Sequence, residues 1–238
     1  MTPLDRLRLE KAAADCGFEM TAVPQADGLE LRSARFPETV LVRVAGEKSF
    51  EVTASDPAIL DLKAGNGSLK VVGYGALYGL LRTTAAHART KPNRVADEFK
   101  KKTATMPKTT EAERLVVQRV GQGLFRGALL DYWQRKCCVT GLDVPELLRA
   151  SHIRPWAECE TDEQRLDVFN GLLLAPHLDA LFDAGLMTID EGGVAQLASR
   201  LTTEQREALG LKTELRVLAL RGEHQVYLEF HRQKVWVG

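Results

Sequence analysis

The segment from Asn170 to Gly185 constrains this chain more than any other. Gly171 is followed by Leu172, Leu173 and Leu174, a run short and apolar enough for a strand covered on both faces. Pro176 then opens a helix that Gly185 closes. On such a helix Asp179 and Asp183 are four residues apart and share one face. Two carboxylates so placed repel each other unless a cation lies between them, and all-oxygen ligands suit a hard ion, Mg²⁺ first and Mn²⁺ second. Leu178, Leu181 and Phe182 are interleaved with them, which sets the pair at the edge of a core. A solvated acidic helix face is the other reading of the same spacing.

Upstream, His152 lies in Ala150-Ser151-His152-Ile153-Arg154-Pro155-Trp156. Ile153 and Pro155 mark the end of an extended segment and place the imidazole beside a rigid turn. An imidazole with an ordinary pKa of about 6.5 is largely neutral at pH 7 and can accept a proton there, so His152 is a candidate general base. With residues 138–140 and 172–174 as strand candidates around a long excursion, the order is β, loop, β, helix. His177 is two residues from Asp179 and points off the acidic face. Trp156 is expected in the core, and His224 and His231 are expected to be structural.

The rest of the chain reads as an α+β protein. Leucines and alanines at helical spacing in Pro3–Cys16 precede short apolar runs at 29–31, 40–44 and 50–52, and helical periodicity returns at 73–88. This gives a small N-terminal α+β domain over 1–90. Residues 91–109 are rich in Lys, Pro and Thr with no clear apolar stripe, and read as a basic linker. The third part, 110–238, opens on a helix capped by Thr109 or Thr110 that runs to about Val120, with a second helix at 123–136. It closes with a helix at 201–209 and strands at 215–220 and 225–230.

Net charge is zero, which argues against simple phosphate binding, but the charges are segregated. Residues 82–108 hold eight Lys and Arg against two acids, whereas 137–192 hold three Arg against eleven acids. Lys100, Lys101 and Lys102 in the basic stretch are candidate DNA contacts, with a solvated linker as the alternative. The four cysteines form no Cys-x-x-Cys pair, so no structural zinc and no disulfide framework are expected. The first ten residues alternate charge with leucine, and no apolar run approaches the roughly 20 residues of a bilayer span, so a cytoplasmic protein without membrane attachment is expected.

Several blocks occur in an order that resembles the HNH endonuclease family of ββα-metal nucleases, in its bacterial branch: Cys138–Gly141, Ala150–Trp156, Arg165–Leu174 and Leu178–Leu186, preceded by Thr110-Glu-Ala-Glu113, Arg119-Val-Gly-Gln122 and Phe125-Arg126. The resemblance covers roughly residues 110–190. It implies His152 as general base, Asn170 as the residue whose amide braces the loop, and Asp179 with Asp183 as ligands of a divalent metal. The aspartates follow Asn170 by nine and thirteen residues, as the family's helix ligands do. Asp179 stands where many members have histidine, and Ser151 stands where others have a ligand before the base. Arg154 and Arg165 are candidates for gripping a phosphate oxygen; the competing reading pairs either with a local acid such as Asp167. On the same resemblance, His177 is placed to contact DNA, donate to a phosphate or simply cap the helix.

The resemblance implies a nuclease that hydrolyses DNA with DNA as partner, in bacterial restriction or antiphage defence, with domain 1–90 recognising a sequence, a modified base or a signal. Two other readings stand beside it: a non-catalytic DNA-binding module on a decayed ββα fold, and a nuclease effector switched on by a protein partner or ligand through the N-terminal domain. One ββα site cuts one strand, so double-strand cleavage calls for a homodimer or sequential nicking.

Overall fold

In a computed structural model that describes residues 1–26, 28–61, 67–211 and 214–238, the α+β chain divides into two compact units, Met1–Thr90 and Lys91–Gly238. The first begins with α1 (Pro3–Cys16), whose N-terminus is closed by a reciprocal Thr2–Asp5 capping box and whose C-terminus turns at Gly17 with φ 99°. Five antiparallel strands follow in simple order: β1 (Met20–Gln25), β2 (Gly28–Arg32), β3 (Val40–Gly46), β4 (Ser49–Ala54) and β5 (Leu69–Val72). The unit closes with α2 (Tyr74–Arg89).

Leu29, Val42 and Val52 fall opposite one another in register, as do Leu31 and Val40, and all are fully buried. They share a core with Leu9 and Ala12 of α1 and Leu77 and Leu81 of α2. The alternate positions Arg43, Glu51 and Lys70, aligned across three strands, form a row of alternating charge on the other face. The apolar runs at 29–31, 40–44 and 50–52 thus mark β2, β3 and β4, while β1 and β5 lack a run that signals them.

The second unit starts with α3 (Arg94–Thr103), inside the stretch read as a linker. Val95, Ala96, Phe99 and Thr103 form a buried stripe at helical spacing, which the surrounding lysines mask in the sequence. Next comes α4 (Glu111–Tyr132), capped by a Thr110–Glu113 box. It is one helix rather than two. Gly121 is needed at the point of closest approach, because a β-carbon there would lie 2.7 Å from the Trp156 ring.

Then follow β6 (Arg149–His152), the short α5 (Asp162–Arg165), β7 (Gly171–Leu174) and α6 (Pro176–Asp183). The first strand of this motif is therefore 149–152, not 138–140; Cys138 lies in a turn and donates its N–H to the Leu173 carbonyl at 2.8 Å. β8 (Met187–Ile189) pairs with β9 (Ala195–Leu197). α7 (Thr203–Ala208) and α8 (Gln225–Lys234) complete the unit. The expected strand at 225–230 is the start of α8, and residues 215–220 contribute a single bridge, Val194 to Arg216. Among the described residues no helix is long and apolar enough to cross a membrane.

α4 packs on β7 where Gly171 leaves room: a β-carbon there would meet Phe125 at 2.6 Å and Leu129 at 2.7 Å. Gly171→Ala is expected to destabilise the second unit by about 1–3 kcal/mol through overpacking, read as a lower denaturation midpoint at constant m-value.

His224 and His231 are both buried. The His231 ring stacks on Phe182 at 3.8 Å; its Nε2 lies 3.2 Å from the Phe182 carbonyl and its Nδ1 2.9 Å from the Thr188 hydroxyl. His224 sits among Tyr132, Trp133 and Phe169. Burial lowers both pKa values from 6.5 to about 4. Between those values the unfolded chain binds protons that the folded chain refuses, so stability is full above about 6.5 and falls as pH drops toward 4. At about 1.4 kcal/mol per unit, the loss is on the order of 3 kcal/mol for each histidine. Thermal unfolding across that window should show the decline, and His224→Phe should lessen it.

Candidate active site

β6 and β7 pair without a bulge, Ser151 opposite Leu172 and His152 opposite Gly171. β7 is buried on both faces and runs through Ala175 directly into α6, so the strand pair and the helix are held together by the leucine run itself. This places Ser151 against the acidic face of α6. Its hydroxyl oxygen is 2.7 Å from Asp179 Oδ1 and 3.3 Å from Asp183 Oδ1. The two aspartates therefore converge on one buried hydroxyl, which has a single proton to donate. Partial burial of its carboxyl, and then the Asp179 charge, raise the Asp183 pKa above the usual carboxylate value, against the lowering effect of Ser151.

His152 ends β6 with its ring stacked on Phe125, centroids 3.9 Å apart and planes 14° from parallel, while Trp156 meets it edge-on at 5.5 Å. Nε2 lies 2.8 Å from the Arg165 carbonyl oxygen. A carbonyl only accepts, so Nε2 carries the proton and the lone pair of the neutral ring resides on Nδ1. Burial lowers the His152 pKa from 6.5, with the Arg165 carbonyl opposing the shift. The ring is thus neutral at pH 7. His152, Ser151 and Asp183 line one cavity of about 300 Å³ together with Trp156, His231 and Val235. Trp156 is accordingly a half-buried wall of the cavity rather than a core residue.

Asn170 is completely buried below this site. Its Oδ1 accepts from the Arg154 N–H at 2.7 Å, and its Nδ2 lies among the carbonyls of Arg154 and Gln164 and the Cys159 sulfur. The amide thereby closes the loop between β6 and β7, and it does not face the cavity lined by His152.

The structure occupies most of the candidate phosphate contacts with protein partners. Arg165 turns inward to the carbonyls of Trp156 and Cys159 and to Asp162 at 3.1 Å, rather than to Asp167. Arg154 reaches Glu160 at 3.2 Å and lies over the Phe230 ring. Lys100 is paired with Glu163 of α5, and Lys102 with Glu98 at 2.7 Å. His177 is exposed near the start of α6, and Lys101 is exposed on α3. Asp167 caps the 3₁₀ turn at Val168–Asn170 and accepts from the Tyr227 hydroxyl at 2.9 Å.

Ser151, whose hydroxyl contacts both aspartates, is a residue that sequence reading placed only as a departure from a pattern. Phe125, 27 residues from His152, carried no signal for its stacking role. Among the described residues no group of three or more His, Cys, Asp or Glu side chains comes together as a metal cage. All four cysteines are buried free thiols.

Residues 137–190, which contain both strands, Asn170, His152 and the aspartate pair, match the HNH endonuclease family. Among curated proteins none matches this chain.

Proposed function

Since the chain carries an HNH endonuclease domain over residues 137–190, we propose that it is a metal-dependent endonuclease that hydrolyses DNA phosphodiesters. The observation that carries this reading is His152: a neutral imidazole whose Nε2 is held by a backbone carbonyl, in one cavity with Asp183 and next to the hydroxyl on which both aspartates converge.

The donor set supports a hard divalent ion. Asp179 and Asp183 supply carboxylate oxygens and Ser151 a hydroxyl, a lean set of the kind that Mg²⁺ completes with water and substrate oxygens. When bound there, the metal would stabilise charge on the phosphoryl group and on the leaving 3′ oxygen. His152 Nδ1 takes the proton of the attacking water, which approaches the phosphorus in line. Phe125 and Trp156 fix the ring plane, and the Arg165 carbonyl fixes its tautomer and favours the imidazolium that proton transfer creates. Asn170 acts as a positioning residue, holding the loop that carries that carbonyl. By family resemblance the products carry 5′-phosphates.

We place the activity in bacterial restriction or antiphage defence, with unit Met1–Thr90 as the recognition or sensor part; family resemblance and the separate compactness of that unit support this. The test is incubation of the full chain with methylated and unmethylated supercoiled plasmid in Mg²⁺, Mn²⁺ or EDTA. Metal-dependent nicking is the expected result. DNA binding with no cleavage in any metal or methylation state would replace the nuclease with a binding module.

A further inference from the structure

The segment 137–192 has only three cationic side chains besides histidine, Arg149, Arg154 and Arg165, among eleven acids. Arg154 is paired through its terminal nitrogen with Glu160, and Arg165 with Asp162 and loop carbonyls. Arg149 is different. It is exposed on β6, and among the described residues its guanidinium makes no hydrogen bond or ion pair.

Its place in the strand is fixed. β6 keeps regular register against β7, with Arg149 opposite Leu174 and Ser151 opposite Leu172. Residues two apart in a regular strand project from the same face, about 6.7 Å apart. Arg149 therefore shares its face with Ser151, whose hydroxyl contacts Asp179 and Asp183. The strand is also anchored immediately before it, because the Arg126 guanidinium donates to the carbonyls of Leu148 at 2.6 Å and Pro145 at 2.7 Å. An unpaired guanidinium on a rigid strand, one side-chain position from an acidic pair, offers forked donors suited to a phosphate.

We propose that Arg149 binds a backbone phosphate neighbouring the one that is cleaved, and so draws polyanionic substrate onto an otherwise acidic face. The residue is a substrate-binding group, not a participant in proton transfer. This inference rests on the nuclease reading above.

The test measures binding of a labelled mixed-sequence duplex DNA by full-length protein in EDTA, as a function of salt, for wild type, Arg149→Ala and Arg149→Lys. One lost phosphate contact makes the slope of log K against log salt shallower by about 0.9. Arg149→Ala should show that change with an unaltered melting temperature, and Arg149→Lys should retain the wild-type slope. In Mg²⁺, Arg149→Ala should cleave more slowly at subsaturating DNA and keep the wild-type rate at saturation. A wild-type slope in Arg149→Ala, or identical behaviour of the alanine and lysine variants, overturns the assignment even if wild type cleaves DNA normally. A wild-type protein that neither binds nor cuts DNA instead overturns the nuclease reading and this inference with it.

Discussion

His152→Ala should lower the rate of DNA cleavage at neutral pH by about 10²–10⁴-fold, the usual contribution of a general base. The variant should still bind DNA, because the imidazole contributes little charge at that pH. Burial lowers the His152 pKa, so the proton-accepting form persists into more acidic solution than free imidazole allows. The base is competent above its pKa and lost below it. The acid limb of the wild-type rate should therefore lie below about pH 6.5, the ordinary value. Removing the ring also opens a void beside Phe125, so a general loss of packing has to be separated from loss of the base. Added imidazole makes that separation. It should restore part of the activity of His152→Ala, an effect that repair of packing in a distorted protein would not produce in proportion to the neutral imidazole present.

The second large effect is at the aspartate pair. Asp183→Asn preserves shape and an oxygen near the Ser151 hydroxyl while removing one of two negative charges. Cleavage at fixed Mg²⁺ should fall by on the order of 10²-fold or more, given the several kcal/mol that a metal contributes to charge stabilisation in such transition states. The Mg²⁺ concentration needed for half-maximal rate should rise. Chelation by EDTA should abolish wild-type cleavage and leave melting little changed, since among the described residues no group of three or more His, Cys, Asp or Glu would tie a metal to the fold. The Asp183 pKa is raised, so its carboxylate is lost at a higher pH than an ordinary aspartate, and apparent Mg²⁺ affinity should weaken as pH falls. A titration of rate against Mg²⁺ at two pH values reads this directly.

Local signals carried much of the fold. Short apolar runs marked β2, β3 and β4, and the threonine cap with acids in the first turn marked the start of α4. The four-residue spacing of Asp179 and Asp183 put them on one face of α6 without any tertiary information. Other elements depend on contacts that local pattern does not encode. Residues 225–230 combine β-branched and aromatic side chains and read as a strand, yet Leu228 and His231 face the core at helical spacing and Val226 is exposed. The Phe99 stripe of α3 is short and embedded in lysines. The sequence reads as one helix ending near Val120 and another beginning at 123, although Gly121 lies within α4 and is there to admit Trp156.

The site divides in the same way. That Asp179 and Asp183 share a face was legible from their spacing, whereas His152 was singled out by the family resemblance rather than by residue type alone. That Ser151 joins the two aspartates across 28 and 32 residues follows from β6–β7 pairing and the run of β7 into α6, and that Arg165 is turned onto loop carbonyls follows from how the loop closes around Asn170. Ser151 first looked like a missing ligand. In the structure its hydroxyl is the point on which both carboxylates converge, and the small side chain leaves the cavity open beside it.

The central claim, that His152 and the aspartate pair form one metal-dependent hydrolytic site, is tested most directly by single-turnover cleavage of a labelled DNA duplex in Mg²⁺ by wild type, His152→Ala and Asp183→Asn, with EDTA as control. The account predicts wild-type cleavage abolished by EDTA and strongly reduced in both variants, with DNA binding retained by each. Wild-type cleavage that persists in EDTA, or variants that cut as fast as wild type, would contradict it.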